Sequence, residues 1–600
     1  MIRVNYRKTI IATLSASVLL GTAFNYNVDA QAKKTVHKVK IQKKSKAKSS
    51  SATSNFAIIL KTRSNSKLEN YVLTKHKKFL STKQFANRYG QTNRTVAAIQ
   101  KYFKKYHIKT TKYAGNLVLR GYGSKSNIQK ALKYKQVRVK VNGKFVYRPN
   151  HEPKIRGKLQ KHVNGFMGLS NYDHVNSNAA KKTKSSSMKR SPKDFISRYG
   201  VTSLKQAKLG ELGAKHGIGI ISFGGFKNSD ITSFWKKVGV PSSIKRVHVY
   251  KDAYASIKSQ SDETTMDIQQ AGAIAPKSNI NVYVSQPTIS GMVESFAKAI
   301  SSNKSDSLSL SWGISEAELQ QMMNEGFISK NYNSIMNSLL LQGAAQGISI
   351  FNSTGDNGAY DGIEGGVTGL TVESPASSPF ITAVGATSVP ISYTVNGHKV
   401  KIDKERAWSN DFLYPYFNHL KLYNSDQNSF LSTYFAGTGG GFSKFNQTPA
   451  YQSNVSGVNS YNAVQYWNMD SGYAKQYAKP IQTSSTASGR NLPDIVANGD
   501  PQTGYTVLYN NQWFTDGGTS IVAPQVAAVN ALFATRAKHR FGLWNPQLYA
   551  LANNGNSPFN TLDSDKDNSN LYYTGQPGKK YNQATGLGTV NYGKLYQLMK

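Results

Sequence analysis

From residue 191 onward, apolar residues fall into short continuous runs separated by longer stretches of helical spacing. Gly217–Phe223, Asn279–Val284, Ser307–Ser311, Gly347–Ser353 and Phe380–Val384 read as strands, short and bounded by turn residues as buried strands are. Glu263–Ala275, Gly291–Ser301 and Asn331–Gln346 read as helices. This alternation predicts an α/β fold, doubly wound around a mostly parallel sheet. Residues 388–490 are rich in Tyr, Asn and Ser and predict a loop or β insertion.

The first third is organised differently. Phe56–Leu60, Asn116–Leu119 and Gln136–Val141 read as strands, and Phe79–Gly90 and Thr95–His107 as helices. The order predicts a small α+β, ferredoxin-like domain over 55–172. Residues 31–54 are Lys/Ser/Thr/Gln-rich and predict disorder. Residues 173–190 lack apolar periodicity and read as an exposed linker, expected to be nicked between about Lys181 and Ser191. At the start, Arg3, Arg7 and Lys8 precede the apolar run Ile10–Phe24 and the small-residue site Val28-Asp29-Ala30. That is the form of a signal peptide over 1–30, so a secreted, extracellular protein without a membrane span is expected.

Charge sharpens the division. The net charge is +45, but residues 1–190 hold 43 Lys/Arg against 4 Asp/Glu, and residues 191–600 hold 33 against 27. The basicity belongs to the leader. No zinc-site or RNA-binding motif accompanies it, so nucleic acid is not the expected partner; an anionic cell wall or a complementary protein surface is. The absence of cysteine excludes disulfides and thiolate chemistry.

The candidate chemistry centres on Thr515-Asp516-Gly517-Gly518-Thr519-Ser520, followed by an apolar, Ala-rich helical run. Two glycines before a serine permit backbone conformations closed to other residues and leave room for a substrate. Pro524 is expected in the first turn of the helix that follows, where its missing N–H costs least. A serine nucleophile needs a base. None of the 11 His stands in a suitable context: His216 precedes a strand, where a catalytic base would open a helix. Glu263 and Asp267 lie i,i+4 on one face of a mostly apolar helix. Two buried anions so placed repel unless they share a proton or serve a site. Asp356 follows the strand Gly347–Ser353 in a Gly-Asp-Asn-Gly turn, and sites in α/β sheets form at the carboxyl ends of strands.

Glu263-x-x-x-Asp267, Ser311-Trp312-Gly313, Ser353-Thr354-Gly355-Asp356, Pro375-Ala376-Ser377-Ser378-Pro379, Gly439-Gly440-Gly441-Phe442-Ser443, Pro493-Asp494-Ile495 and Gly517-Gly518-Thr519-Ser520 appear in this order. Together they resemble the sedolisin (serine-carboxyl peptidase, kumamolisin-like) family over 191–600. The segment Phe79–Gly90 is similar to that family's prodomain. The resemblance implies a subtilisin-like fold and a zymogen whose own prodomain is its inhibitor. It also implies an endopeptidase active at acidic pH on polypeptide substrates, with Ser520 as nucleophile, Glu263 as base, Asp267 orienting Glu263, and a protonated Asp356 in the oxyanion hole. Trp312 and Glu373 are implied in substrate binding, the latter favouring basic side chains. Ser222 stands where some members carry a Glu that extends the carboxylate chain. A tripeptidyl-type exopeptidase and a non-catalytic, wall-binding relative are the alternatives.

Relatives bind Ca²⁺ through two Asp near the C-terminus. Here the matching segments, Phe559-Asn560-Thr561-Leu562 and Gly578-Lys579-Lys580-Tyr581-Asn582, lack both carboxylates. Lys580 is a candidate to fill the vacated position, and Asp563, Asp565 and Asp567 are candidates for a substitute metal site.

Overall fold

In the computed structural model the main sheet is built from strands Val247–Lys251, Asn279–Val284, Gly217–Ser222, Ser307–Leu310, Ser349–Ser353, Thr382–Ser388, Ile495–Asn498, Thr589–Val590 and Phe559–Asn560, in that spatial order. The structure describes residues 45–46, 52–74, 78–141, 143–177, 183–184, 190–206, 216–252, 255, 261–395, 398–416, 434–469 and 475–600. Every pairing along this path up to Thr589–Val590 is parallel, and Phe559–Asn560 closes the edge antiparallel. The chain starts in the middle, at Gly217–Ser222, winds first to one side and then, from Ser307, to the other. The winding direction therefore reverses between Gly217–Ser222 and Ser307–Leu310, and a crevice opens at their carboxyl ends.

Helix Thr519–Ala537 lies against one face and is buried from Thr519 to Ala534. It is apolar on all sides because it packs between the sheet and helix Asp262–Ile274. That second helix is buried from Glu263 to Ile274, both carboxylates included. Helices Ile289–Ser302 and Tyr332–Ala345 cover the opposite face.

The N-terminal strands Thr53–Leu60, Lys109–Lys112, Val118–Ser124 and Val163–Met167, taken as first to fourth, form an antiparallel sheet of order two-three-one-four. With its intervening helices this is the ferredoxin-like arrangement. Gln136–Val141 is not one of the four; it pairs with Lys144–Pro149 in a separate hairpin. Of the basic segment 31–54, expected to be disordered, Ser45–Lys46 pairs with Gln136–Val141, and Thr53 and Ser54 already belong to the first strand. Backbone pairing needs no apolar side chains, which is why composition hid it. The signal-peptide segment lies outside the described residues, as does most of the expected nicking region. No helix among the described residues is long and apolar enough to cross a membrane.

This domain sits on helix Tyr332–Ala345 and the turn that precedes it. Leu80 N–H donates to Ala345 O (2.9 Å), Asn164 Nδ2 to Ser334 Oγ (3.1 Å), and Ser329 Oγ to Glu152 (2.7 Å). Gly115, at φ +103°, lies so close to Gln342 that a Cβ would come within 2.3 Å of its Nε2.

The Pro493-Asp494-Ile495 motif proves to be a structural hub. Arg490 and Asp494 form a fully buried ion pair, and Asp494 also accepts from Ala383 N–H (2.7 Å) and Tyr549 Oη (2.8 Å). Removing one partner leaves a buried charge uncompensated, at a cost of about 3–5 kcal/mol. Arg490→Met should therefore lower the midpoint of urea unfolding by that equivalent at unchanged slope; a midpoint within error of the parent would show the pair contributes nothing.

Candidate active site

Gly517 and Gly518 set the start of helix Thr519–Ala537. Gly518 has φ +95°, and a Cβ on Gly517 would meet Gly499 O at 2.3 Å. Gly518 N–H donates to Gly499 O at 2.6 Å. These contacts fix Ser520 in the first turn, fully buried, with Oγ donating to Ser311 O (3.3 Å). Pro524 lies in the second turn of the helix, not the first. Its missing N–H leaves Ser520 O without the usual helical partner. Ser311 Oγ lies 3.1 Å from that carbonyl and 2.8 Å from Asp267 Oδ1. Ser311, just past the end of its strand, thus ties the Ser520 backbone to Asp267.

Glu263 and Asp267 are buried, at 1 % and 0 % exposure. Asp267 Oδ1 accepts from Ser311, and Glu263 Oε2 accepts from the Ser177 hydroxyl of the leader's tail. One oxygen of each, Glu263 Oε1 and Asp267 Oδ2, is buried without a hydrogen-bond partner. Burial pushes both carboxyl groups well up, and the charge of Asp267 pushes Glu263 further. Two buried acids so placed favour at least one of them protonated.

Asp356 leaves the carboxyl end of strand Ser349–Ser353. Its Oδ1 accepts from Thr519 N–H (2.8 Å) and Thr519 Oγ1 (2.9 Å), while Oδ2 is buried and unpartnered. Burial raises its pKa to about 8 against the pull of those two bonds. A neutral carboxyl with one oxygen anchored and the other free is a hydrogen-bond donor aimed by its own acceptor side. The four residues selected from sequence therefore converge on one crevice.

Trp312 is half-buried, edge-on to Phe223 at 5.1 Å, with a buried, unpartnered Nε1. Ser222 bonds Thr264 Oγ1 (2.6 Å) and Gly224 O (3.1 Å) and reaches neither Asp267 Oδ2 nor Trp312 Nε1 by hydrogen bond. Glu373 is buried beneath Gly313, and a Cβ on Gly355 would meet both Asp361 Oδ1 (2.0 Å) and Glu373 Oε2 (3.3 Å). Asp361 was not foreseen. Burial, then Glu318, Asp356 and Glu364, hold its carboxyl well up, and only its sequence position near Asp356 hinted at it. His216 bonds Asp306 (2.9 Å) at the amino end of its strand, away from Ser520.

The leader's tail enters this crevice. Asn176–Ser177 pairs antiparallel with Gly313 and Trp312, and Thr183–Lys184 pairs antiparallel with Thr515 and Phe514.

The C-terminal turn was weighed for calcium. Leu562 O accepts from Asn568 Nδ2 (2.7 Å) and Asn582 Nδ2 (2.9 Å), and Asn582 Oδ1 accepts from Ala584 N–H, Thr585 N–H and Thr585 Oγ1 (3.1, 2.9 and 3.0 Å). Amide donors stand where Ca²⁺ needs anionic oxygens, so these residues do not fit the ion. Lys580 is exposed and does not fill the position. Asp563 accepts from Gly578 N–H and Asp567 pairs with Lys404. No cluster of three or more potential metal-ligating His, Cys, Asp or Glu occurs among the described residues.

The sheet thus carries a serine at a helix start, an acid at a strand end and two acids on the helix packed beside them. The profile described as the subtilase family matches residues 255–575, and that of the pro-kumamolisin activation domain matches 40–172. The chain belongs to the subtilase family, on its sedolisin, serine-carboxyl branch, with an N-terminal activation domain. It is similar to kumamolisin from Bacillus sp. strain MN-32, 27% identical over 374 residues, covering 61% of this chain and 56% of that protein. Xanthomonalisin from Xanthomonas sp. strain T-22 is 23% identical over 567 residues (86% and 61%). Sedolisin from Pseudomonas sp. strain 101 is 24% identical over 544 residues (86% and 81%). The chain thus spans little more than half the length of the first two.

The buried carboxyls carry a stability signature. Asp356 sits at about 8 and Glu318 at about 7, against about 4 in an unfolded chain. The folded state then binds more protons than the unfolded one between about pH 4 and 8, so stability falls as pH rises through that window. The contribution of Asp356 is at most about 5 kcal/mol at 1.36 kcal/mol per unit. An uncut Ser520→Ala chain should unfold at lower temperature at pH 8 than at pH 5, and adding Asp356→Asn should narrow the gap. A gap left unchanged by Asp356→Asn would mean that Asp356 is ionised throughout.

Proposed function

We propose that this chain is a secreted serine-carboxyl endopeptidase made as a zymogen. The observation that carries the reading is the free, buried Oδ2 of Asp356, anchored on the residue before Ser520, with Ser311 linking the Ser520 backbone to the buried Asp267 one turn from Glu263. Ser520 Oγ attacks a peptide carbonyl carbon and its proton passes to the ionised Glu263, while Asp267 holds Glu263 in place. The neutral Asp356 donates to the carbonyl oxygen as it gains negative charge. The Glu263 proton then goes to the leaving amine. Water repeats the sequence in reverse, losing its proton to Glu263 and releasing the acid product and Ser520.

The working state needs Asp356 protonated and one negative charge shared by Glu263 and Asp267. The first condition fails as pH rises past the Asp356 value of about 8. With the leader gone, water reaches the crevice, and lower desolvation moves all three groups down. The pH optimum is therefore acidic. A leader that runs along the strands on both sides of Ser520 favours an endopeptidase, whose cleft must hold chain in both directions, over a tripeptidyl exopeptidase. Glu373 beside Asp361 favours basic side chains in the adjacent pocket. The leader domain is the inhibitor, and maturation falls between about Lys181 and Ser191. Its excess positive charge fits retention at an anionic wall.

Ser520→Ala should abolish casein digestion at acid pH, and Asp356→Ala should lower kcat by about 10²–10³-fold with KM little changed. Full activity in either variant would sink the mechanism.

Calcium plays no part in this reading, since the C-terminal turn is closed by amides. The unfolding temperature of the full chain should be the same in EDTA and in millimolar Ca²⁺; a clear rise with Ca²⁺ would reveal a site elsewhere.

A further inference from the structure

One side chain of the leader's tail has a docking place of its own. Tyr172 packs on Phe327 with ring centroids 4.7 Å apart, Val175 is buried, and Asn176 and Ser177 pair with Gly313 and Trp312. Between these contacts, Asp173 Oδ1 accepts from Ile289 N–H (2.7 Å), and Oδ2 accepts from Ser290 N–H (3.2 Å) and Ser290 Oγ (2.6 Å). Ile289 and Ser290 open helix Ile289–Ser302. Thr288 Oγ1 already takes Gly291 N–H (2.9 Å), and Thr288 O takes Met292 N–H (2.8 Å). The two amides left over by the helix are therefore the two that Asp173 receives. Three donors converge there at the positive end of a helix, which suits a carboxylate. The choice of residue is pointed. Asp173 is the only acid between Glu152 and Asp194, in a leader with 4 acids and 43 Lys/Arg.

We propose that the first turn of helix Ile289–Ser302 is a recognition site for an acidic side chain on a peptide lying extended in the cleft, four positions before the residue that pairs with Trp312. Asp173 is its built-in occupant and holds the tail in register, so that the Ser177 hydroxyl rests on Glu263. For external peptides this rests on the peptidase reading; the internal contact stands without it. Once the leader leaves, the Ile289 and Ser290 amides and the Ser290 hydroxyl are free to take an Asp of a substrate, adding ground-state binding at a distance from the chemistry.

Two measurements test it. In the uncut Ser520→Ala chain, Asp173→Asn and Asp173→Ala should speed hydrogen exchange at the Ile289 and Ser290 amides about tenfold, with exchange in the main sheet unchanged. Unchanged exchange at those two amides would overturn the proposal. If the Ala variant unfolds, the near-isosteric Asn variant decides. In the second, the processed wild-type protein is given a peptide copying residues 171–184 and its Asp173→Asn counterpart at pH 6. The Asp peptide should show a KM lower by about five- to tenfold at equal kcat, and Ser290→Ala should shrink that ratio. Equal KM values would overturn substrate recognition at this site. If neither peptide is cut, the peptidase reading has failed, and the exchange result alone decides the Asp173 contact.

Discussion

A carboxylate taken out of water costs several kcal/mol unless protons, donors or cations compensate it, and this crevice buries three around one hydroxyl. The described surroundings of Glu263, Asp267 and Asp356 supply hydroxyl and amide donors to one oxygen of each group and leave the other oxygen bare. Protons are the remaining compensation. That single constraint orders the chemistry. On the proposed mechanism, Asp356 becomes a donor instead of an acceptor, Glu263 and Asp267 share a charge, and no imidazole is needed.

The fold holds these groups together through a few backbone compromises. The sheet reverses its winding beside Ser307–Leu310, so that strand ends deliver Ser311 and, one strand along, Asp356 to the same crevice. Pro524 withholds a hydrogen bond from Ser520 O, and Ser311 Oγ lies within reach of that orphan while it holds Asp267. Thr519 presents both its N–H and its hydroxyl to Asp356. Asp356 is thus anchored on Thr519, the residue directly before Ser520 at the helix start.

Much of this was legible in the sequence, because its signals are local. Strand–helix alternation marked the parallel sheet, the i,i+4 carboxylates on an apolar helix marked Glu263 and Asp267, and the glycine pair marked Ser520. Long-range complementarity left no such mark. Nothing local distinguishes Ser177 from other linker residues, and the lone acid Asp173 gives no sign of its partner, although each meets one more than 80 positions away. Pro524 was misplaced by one turn because the helix start depends on Gly518 at φ +95°, a conformation that residue type permits but does not require. Asp494 belonged to a recognised motif, yet its role is to pair with Arg490 inside the core. The paired strand at Ser45–Lys46 escaped notice for the opposite reason, since a lysine-rich composition says nothing about backbone bonding.

The leader ties regulation to the same constraint. The tail places the Ser177 hydroxyl on Glu263; on the proposed reading, the same contact surface that blocks access also keeps water from the carboxyls and holds them protonated. The most direct test is the pH–rate profile of the processed protein and of its Glu263→Gln variant on a denatured protein substrate. The account predicts an acid maximum in the parent and loss of nearly all turnover in the variant. An alkaline maximum, or a variant that keeps the parent's rate, would contradict it.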